Sequence, residues 1–427
     1  MLIYVVKQGD SLYQIANQFN VTVDSIARAN DMTESDALII NQALVIPTMN
    51  TYTVVAGDSL YKIARQFHTT VEALASINNL NIQTPLEIGQ TLTLPEETKD
   101  KIEVNAYVEP RGEAVSDQLI QVTEKRAPYL SYLAPFSYEV RRDGTLRKPP
   151  LDSLPQIARN NQAALMLTVT NLEDGSFNAE LGRLIVTDPT IQETLLNEII
   201  AEAKRIGYRD VHFDLEFLPP EVREDYNQFL VLARDRLHQE GLLISTALAP
   251  KTSADMTGPW YEAHDYRAHG EIVDFVVLMT YEWGYSGSEP MAVSPINQVR
   301  SVVNYALTEM SPSKILLGQN LYGYDWTLPV EPEVRLARAL SPQQATNLAR
   351  QKQQRIEFDE TAQAPYFQYT DEEGNRHEVW FEDARSIQAK FDLIKEKKLR
   401  GISYWKLGLN FPQNWELLND QFQIKKF

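Results

Sequence analysis

A stretch of alternating apolar and ionisable residues, Val211 to Phe217, constrains the fold of this chain most strongly. In a β-strand, residues two apart point to the same face, so one face here is apolar and the other carries His212, Asp214 and Glu216. A helix-like run from Glu221 to Glu240 and then a second apolar run follow. This order of strand, helix and strand predicts a parallel sheet, whose strands are usually buried on both faces. Since buried carboxylates are costly unless they are paired or used, the pattern favours an active site over an ordinary surface strand.

Strand-like and helix-like segments alternate over most of the chain. Eight apolar segments are predicted as strands: Ile102 to Val108, Tyr129 to Pro135, Ala163 to Thr170, Val211 to Phe217, Leu242 to Ala249, Phe275 to Thr280, Ile315 to Leu321 and Gly401 to Trp405. Thr190 to Ile206 and Ser294 to Glu309 are the clearest helices between them. We therefore predict an α/β fold, a (β/α)8 TIM barrel, over residues 97–427, with functional groups at the carboxyl ends of its strands.

The region from about residue 325 to residue 385 is too long to be a single loop between two barrel strands. It contains a hairpin pattern, with Tyr366 to Tyr369 and Glu378 to Phe381 on either side of a turn at Asp371 to Asn375. We predict a small α+β insertion that forms a wall on one side of the site.

The first hundred residues contain an internal repeat with a constant spacing of 48 residues. Residues 4–16 (YVVKQGDSLYQIA) match residues 52–64 (YTVVAGDSLYKIA), and the register holds as far as Pro47 and Pro95. Each unit reads as a strand, a helix capped at a Gly-Asp-Ser turn, a second helix and a closing strand. We predict two βααβ modules, residues 1–48 and 49–96, joined by the short linker Met49-Asn50 and followed by the polar linker Glu96 to Lys101.

Composition excludes several classes of function. The net charge is −18, which disfavours nucleic acid and anionic membranes as partners. There is no cysteine, and the six histidines show no metal-ligand spacing, so we expect neither a metal nor a cofactor. No stretch reaches transmembrane length and the N-terminus does not resemble a signal peptide. We expect a monomer.

The two repeats resemble LysM modules, on the signature Gly-Asp-Ser-Leu-Tyr-x-Ile-Ala and along their whole length. The resemblance implies that they bind glycans containing N-acetylglucosamine, such as peptidoglycan and chitin. The implied sugar contacts are Gly9, Asp10, Ser11, Ile40 and Asn41 in the first module, and Gly57, Asp58, Ser59, Ile88 and Gly89 in the second. For Asp10 and Ser11, the alternative that their side chains only cap the helix stays open.

Polar and aromatic residues stand at or just beyond the ends of several other predicted strands. They are Asn171, Tyr281, Glu282, Trp283, Asn320, Tyr322 and Trp405. In a barrel these side chains converge on one mouth together with Asp214 and Glu216. Aromatic rings stack on sugar faces and carboxylates transfer protons, so the combination predicts a sugar-cleaving pocket. The predicted substrate-binding residues are Trp405, His212, Asn320, Tyr322, Asn171, Glu282 and Trp283.

Residues 102–427 resemble glycoside hydrolase family 18. The family signature, Asp-Gly-x-Asp-x-Asp-x-Glu, aligns with residues 209–216, so that Asp214 and Glu216 match while His212 replaces the middle Asp. Met279-x-Tyr281 is similar to the family's motif on the sixth strand, and Trp405 matches the Trp at the floor of the sugar subsite.

The resemblance implies substrate-assisted retention. Glu216 would protonate the leaving oxygen, and the substrate's own 2-acetamido oxygen would attack the sugar. Asp214 would bind the acetamido N–H, and Tyr281 the acetamido oxygen. Two acids at this spacing also couple, which raises the pKa of one of them. For His212 two interpretations stay open: it orients Asp214 and alters the pH profile, or it is a hydrogen-bonded histidine of the barrel interior.

LysM modules on a family 18 barrel resemble the spore cortex-lytic N-acetylglucosaminidases of spore-forming bacteria. The motifs at residues 105–112 (NAYVEPRG) and 379–383 (VWFED) are also similar to that group. The resemblance implies cleavage after N-acetylglucosamine in cortex peptidoglycan during germination, by an enzyme made in the mother cell without a signal peptide and held in the coat and cortex region. The alternatives are a chitinase or chitooligosaccharide hydrolase and, outside enzymes, an inactive wall-binding lectin, although Glu216 is present.

Overall fold

The structure of the chain is a computed structural model that describes residues 1–48, 51–67, 69–95 and 99–427. The predicted linker Met49-Asn50 lies outside the described residues, as do the first three residues of the predicted linker Glu96 to Lys101. The predicted boundaries between the modules and the barrel therefore fall where the structure gives no description.

Eight parallel strands close into a barrel, which confirms the predicted (β/α)8 fold. Each strand pairs with the next and the eighth pairs with the first. The strands are Asp100–Val108, Tyr132–Pro135, Ala164–Thr170, Tyr208–Asp214, Leu243–Leu248, Phe275–Leu278, Ile315–Asn320 and Gly401–Trp405. Shorter strands at the rims are Tyr138–Val140, Leu146–Arg147, Leu172–Glu173, Ser176–Phe177 and Phe422–Ile424.

The helices around the barrel begin and end at recognisable signals. Asp188 caps the helix Pro189–Ile206 by accepting N–H groups of its first turn, and Gly207 ends it at φ +92°. The α-helices are Asp117–Arg126, Leu154–Asn160, Ala179–Thr187, Pro189–Ile206, Arg223–Gln239, Tyr266–Ile272, Ile296–Glu309, Ala384–Lys397 and Pro412–Gln421. Short 3-10 turns lie at Ala127–Tyr129, Pro220–Val222 and Pro312–Lys314.

An insertion after the seventh strand has the α+β character that the sequence predicts. Its antiparallel sheet has five strands, in the spatial order Arg338–Leu340, Gly323–Leu328, Arg376–Trp380, Ala364–Thr370 and Glu357–Asp359, and its helix is Pro342–Gln351. The predicted hairpin is present, with Tyr366 opposite Trp380 and Thr370 opposite Arg376. A buried apolar cluster between the sheet and the helix gives the insertion a small hydrophobic core of its own.

The two N-terminal repeats form the predicted βααβ modules. Module 1 consists of Leu2–Val5, Leu12–Gln18, Val23–Ala29 and Ala43–Ile46, and module 2 of Thr51–Thr53, Leu60–Gln66, Val71–Ile77 and Thr91–Thr93. Each module has its own apolar core, and module 1 also packs against the barrel and the insertion. Among the described residues, no helix is long and apolar enough to cross a bilayer.

The fourth barrel strand is shorter than predicted. It ends at Asp214, and Phe217 has φ +57°, a left-handed conformation that an extended strand cannot contain. The placement of Glu216 on the strand itself is therefore wrong. Glu216 lies in the segment that leaves the strand, above the carboxyl end of the barrel.

Candidate active site

Three side chains of the fourth strand point into the barrel, at increasing height towards its mouth. Asp210 and His212 are completely buried, and Asp214 is nearly so. Glu216, two residues further on, is partly exposed. The period of two residues therefore places Asp214 and Glu216 where a ligand in the mouth can reach them, and places the other two below.

Asn171 holds the backbone of Glu216 from both sides. Its Oδ1 accepts the Glu216 N–H at 2.9 Å, and its Nδ2 donates to the Glu216 carbonyl at 2.8 Å and to the Asn178 carbonyl at 2.9 Å. A Cβ at Gly182 would lie 3.0 Å from the Asn171 amide nitrogen, so the glycine makes room for this clamp. Asn171 is buried with its amide fully engaged, which corrects the prediction that it contacts substrate.

The carboxyl groups at the mouth of the barrel have raised pKa values. Burial raises the pKa of Asp214 to about 7. The pKa of Glu216 is raised well above its ordinary value, by burial first and then by the negative charges of Asp214 and Glu282. Oδ1 of Asp214 is buried without a hydrogen-bond partner among the described residues. The site thus contains an acid that holds its proton and a neighbouring oxygen that is free to accept one hydrogen bond.

Tyr281 lies near these carboxylates, just beyond the end of the sixth strand. Burial and the nearby charges of Asp214, Glu216 and Glu282 raise its pKa well above the ordinary value, so its hydroxyl keeps its proton. A Cβ at Gly318 on the seventh strand would lie 3.0 Å from the Tyr281 ring and 2.2 Å from the Leu278 carbonyl. The glycine is needed there for the ring to sit against the barrel wall.

Glu282, Tyr322 and Tyr324 form a hydrogen-bonded group on the side of the insertion. Glu282 accepts the hydroxyl of Tyr322 and, at 3.1 Å, that of Tyr324. Burial raises the pKa of Glu282. This group brings the predicted Glu282 and Tyr322 together, with Trp283 half-buried beside them.

Asn320 is buried and its amide is engaged within its own turn, which corrects the prediction that it binds substrate. It is completely buried, its Oδ1 accepts from Gln319 at 3.0 Å and its Nδ2 donates to the Tyr322 carbonyl at 2.6 Å. Its place at the strand end suggested a ligand contact, but the amide serves the turn that presents Tyr322.

Trp405, at the end of the eighth strand, forms the aromatic floor. Its ring lies 4.7 Å from that of Phe136 and 5.4 Å from that of Tyr107, both in edge-to-face geometry. These contacts fix the indole plane, and the partly exposed face is left available to a ligand.

His212 belongs to a buried chain of hydrogen bonds below the mouth. Ser245 donates to Asp210 at 2.6 Å, Ser245 and His212 Nδ1 are 2.8 Å apart, and His212 Nε2 and the Tyr107 hydroxyl are 2.8 Å apart. Burial lowers the pKa of His212 to about 3 and raises that of Asp210 to about 7. Since no hydrogen bond joins His212 to Asp214 in the described part of the chain, the predictions that it contacts substrate and orients Asp214 are corrected in favour of a hydrogen-bonded interior histidine.

The LysM residues occupy the two predicted loops of each module. Asp10 accepts the Tyr4 hydroxyl and the Lys7 N–H, both at 2.7 Å, and Ser11 caps the following helix. The matching residues of module 2 make the same bonds. The side chains of Asp10, Ser11, Asp58 and Ser59 therefore have capping and turn roles, whereas Gly9, Gly57, Ile40 and Ile88 are exposed, and Asn41 and Gly89 share a left-handed backbone.

Asp210, Ser245 and Tyr107 were not identified as site residues from the sequence. Tyr107 lies in the motif at residues 105–112, and Asp210 continues the period of two residues that carries His212 and Asp214, but Ser245 offers no local pattern. Their contact depends on the register in which the fourth strand pairs with the fifth, where His212 is opposite Ser245. Among the described residues, no group of three or more His, Asp or Glu side chains is arranged to hold a metal ion.

Comparison with known proteins agrees with this geometry. The profile of the glycosyl hydrolases family 18 matches residues 135–410, and that of the LysM domain matches residues 4–47 and 52–95. The cortical fragment-lytic enzyme of Bacillus subtilis is 64% identical over 427 residues, covering 100% of this chain and 99% of the relative. That of Bacillus anthracis is 50% identical, covering 99% of each chain. The crystal structure of the Bacillus megaterium spore cortex-lytic enzyme SleL superimposes with a TM-score of 0.91 at 50% identity, covering 100% of this chain and 99% of that one.

Proposed function

The chain belongs to glycoside hydrolase family 18, and from this premise we propose that it cleaves the β-1,4 bond after N-acetylglucosamine in spore cortex peptidoglycan. Two relatives that match along nearly their whole length are named for lysis of cortical fragments, and a third for lysis of spore cortex. The observation that carries the proposal is the group formed by Asp214, Glu216 and Tyr281 at the mouth of the barrel.

Glu216 is the general acid. Its raised pKa keeps the proton available near neutral pH, and the Asn171 clamp fixes its backbone so that the carboxyl group stays aimed at the mouth. The proton goes to the leaving glycosidic oxygen while the acetamido oxygen of the substrate attacks the anomeric carbon. Glu216 then takes a proton from the water that opens the resulting oxazolinium ion.

Asp214 and Tyr281 hold the acetamido group during attack. The unpartnered Oδ1 of Asp214 accepts the acetamido N–H, and the negative charge stabilises the cation that forms. The Tyr281 hydroxyl, which makes no hydrogen bond among the described residues, donates to the acetamido oxygen and orients it. A sugar without an acetamido group, such as muramic-δ-lactam, cannot supply the nucleophile, so the bond after N-acetylglucosamine is the one cleaved.

The LysM modules bring the barrel to its glycan. Glycan and peptidoglycan binding follows from the family of the modules, and two sites on one chain raise the effective concentration of substrate. We further place the enzyme in the coat and cortex region of the spore, made in the mother cell and active during germination, because that location gives access to the proposed substrate.

Glu216→Gln tests the proposal directly. The amide has the shape of the acid without its proton, so release of reducing ends from cortex fragments should fall by at least about a hundredfold, the usual contribution of a general acid. Chitooligosaccharides assayed in parallel distinguish a chitinase, which would prefer them. Equal hydrolysis of cortex fragments by wild type and variant would refute the enzymatic role of Glu216.

The pH dependence tests the coupling between the two acids. The working form has Glu216 protonated and Asp214 ionised, so the rate falls as pH rises through the pKa of Glu216. Asp214→Asn removes one negative charge that raises this pKa, so the alkaline limb of kcat/KM should move to lower pH while the rate falls. An unmoved limb would show that Asp214 does not set the pKa of the acid.

His212 acts as a positioning residue in this proposal. Through Tyr107 it supports the ring that packs against Trp405, so His212→Asn should raise KM more than it lowers kcat, with the pH profile of kcat unchanged. A shifted kcat profile would instead assign His212 to proton transfer.

A further inference from the structure

A cavity of about 400 Å³ lies between the segments that follow the fourth and fifth barrel strands. It is formed by Pro220 and Arg223, which follow the fourth strand, and by residues from Lys251 to Glu262, which follow the fifth. Both segments leave the carboxyl ends of their strands, so the cavity opens on the face of the barrel that carries Glu216. Its volume is that of a small-ligand site.

Lys251 is a buried cation on the wall of this cavity. Its side chain is almost inaccessible, with a relative exposure of 2% for the residue, and it takes part in no ion pair in the described part of the chain. Its ammonium group makes one long hydrogen bond, 3.3 Å to the His264 carbonyl, although it has three N–H donors. Burial accordingly lowers its pKa. Buried charges are normally paired, so the free donors favour an anionic ligand.

The other charges of the cavity are already committed or face solvent. Arg223 is bound to Asp265 through Nε and Nη2, at 3.0 and 2.6 Å. Glu262 accepts the Gly258 N–H at 2.7 Å, and Asp255 is exposed to water. Arg223 is also part-exposed, so water can satisfy its remaining donors, whereas Lys251 is the buried charged group of the lining that has unused hydrogen-bonding capacity.

The cavity segment touches the residue that follows the general acid. The ring of Trp260, within this segment, lies 5.0 Å from that of Phe217 in edge-to-face geometry. Phe217 in turn lies 6.4 Å from Phe177. This aromatic row connects the segment that follows Glu216 with the segment that forms the cavity, and Trp260 is exposed to solvent.

We propose that the cavity binds a carboxylate on a substituent of the glycan, the lactyl or peptide carboxylate of a muramyl residue, with Lys251 as its counter-charge. The proposal rests on the proposed function, since the ligand is a part of the same substrate. A chitin chain has no carboxylate, so the cavity would favour muramyl glycans over chitin and would determine specificity without touching the reacting atoms.

Lys251→Met in the full chain tests the cavity, because methionine has a similar length and no charge. With muramyl-peptide cortex fragments as substrate, KM should rise about tenfold or more, the usual effect of losing a hydrogen bond to a charged group. With the same fragments after amidation of their carboxylates, and with chitooligosaccharides, the variant and wild type should have equal KM. Fragments stripped of peptide separate the lactyl from the peptide carboxylate.

Two control variants separate binding from folding. Lys251→Arg restores the charge and should recover most of the affinity. Lys314→Met removes a half-buried lysine that donates to the Gly270 and Val273 carbonyls near the start of the seventh strand, at the opposite end of the barrel, and should leave KM unchanged for every substrate. Equal losses of Lys251→Met on charged and amidated fragments would overturn the proposal, as would no loss on either.

A binding measurement keeps this inference distinct from the proposed function. In the Glu216→Gln background, calorimetry with the muramyl-peptide fragments should show the tenfold weakening by Lys251→Met whether or not the wild type cleaves them. Wild type that binds these fragments through Lys251 but does not hydrolyse them would refute the proposed reaction and retain the cavity. Binding that is indifferent to Lys251 would refute the cavity alone.

Discussion

The two LysM modules have the same four elements and the same internal bonds, but they stand in different relations to the barrel. Module 1 packs against the barrel helix Pro412–Gln421 and against the insertion. No hydrogen bond or ion pair among the described residues joins residues 51–95 to the rest of the chain. A duplicated module has thus become part of the catalytic domain in one copy and not in the other.

The closing strands show where the two copies differ. In module 1, Leu44 and Ile46 point into the core of the module, while Ala43 and Val45 point outward and are buried with the barrel residues. The inward residues of module 2, Leu92 and Leu94, are likewise apolar, but its outward residues are threonines, Thr91 and Thr93, and both are exposed. The face of the closing strand that points into the module is therefore apolar in both modules. The opposite face is apolar only in module 1, and this difference explains why, in the described part of the chain, only module 1 packs against the barrel.

The loop before this strand differs in the same way. Ile39 is buried in the apolar cluster of the insertion, and the neighbouring Ile40 carbonyl accepts the Ile356 N–H at 3.1 Å. The matching residue of module 2 is Glu87, which is exposed. The predicted sugar-binding loop of module 1 thus has a second role in docking, whereas that of module 2 is open.

Val45→Asp should produce the largest effect. It removes a buried side chain and buries a carboxylate without a partner, so it should destabilise the barrel by about 4 kcal/mol. Thr93→Asp, at the same position of module 2, should change stability by no more than about 0.5 kcal/mol. All six tryptophans lie in the barrel and its insertion, so their fluorescence during urea unfolding reports the barrel rather than the modules.

If module 1 unfolded independently of the barrel, the claim that it is part of the catalytic domain would be wrong. Val45→Asp would then leave the tryptophan transition at the wild-type urea concentration and change only the far-UV signal. Equal shifts by Val45→Asp and Thr93→Asp would show instead that module 2 is coupled to the barrel as well.

The sequence predicted those features that depend on local periodicity. The duplicated register predicted both modules, and alternating apolar segments predicted eight barrel strands within a few residues of their bounds. The turn at Asp371 to Asn375 predicted the hairpin of the insertion. These features follow from hydrophobic period and turn chemistry, which each segment carries in itself.

Features that depend on packing between distant segments were not predicted. Asn171 and Asn320 stand at strand ends like ligand contacts, yet their amides satisfy backbone groups of Glu216 and Tyr322. The partners of His212 depend on strand register and on Tyr107 from the first strand. Docking of module 1 depends on a matching surface some 370 residues away, which no local pattern shows.

Gln413→Ala should have the second largest effect on stability. Gln413 Nε2 donates to Asn30 Oδ1 and to the Ala43 carbonyl, both at 2.8 Å, so its loss should cost about 1–2 kcal/mol. Combined with Asn30→Ala, the two changes should be non-additive by about 1 kcal/mol. The side chain of Asn78, which matches Asn30 in module 2, bonds among the described residues only to backbone groups of its own module, at Leu74 and Thr93. The free-energy changes of Gln413→Ala and Asn78→Ala should therefore be additive. If the free-energy changes were additive in both double variants, Gln413 would not contribute to the contact between module 1 and the barrel.

Glycan affinity should depend more on the open loop than on the docked one. Ile88 is 73% exposed and Ile40 is 42% exposed, so a sugar can bury more apolar surface on module 2. In the Glu216→Gln background, Ile88→Asp should weaken binding to peptidoglycan fragments about tenfold, equivalent to about 1.4 kcal/mol, and Ile40→Asp by less than that. Calorimetry checks both, and a larger loss from Ile40→Asp would mean that docking prepares the site of module 1.

Asp31→Asn should have the smallest effect, because it changes the exposed rim of the docking contact. The Asp31 carboxylate accepts the Asn410 amide at 2.5 Å, and its backbone carbonyl accepts the Gln343 amide at 3.0 Å. Asparagine keeps an acceptor oxygen there and leaves the backbone bond intact, so the loss should be below about 1 kcal/mol. The reverse change in module 2, Asn79→Asp, serves as the matched control and should be neutral. If Asp31→Asn shifted the tryptophan transition as far as Val45→Asp, the modules would be distinguished by their polar rims, and the outer face of the closing strand would not be what attaches module 1 to the barrel.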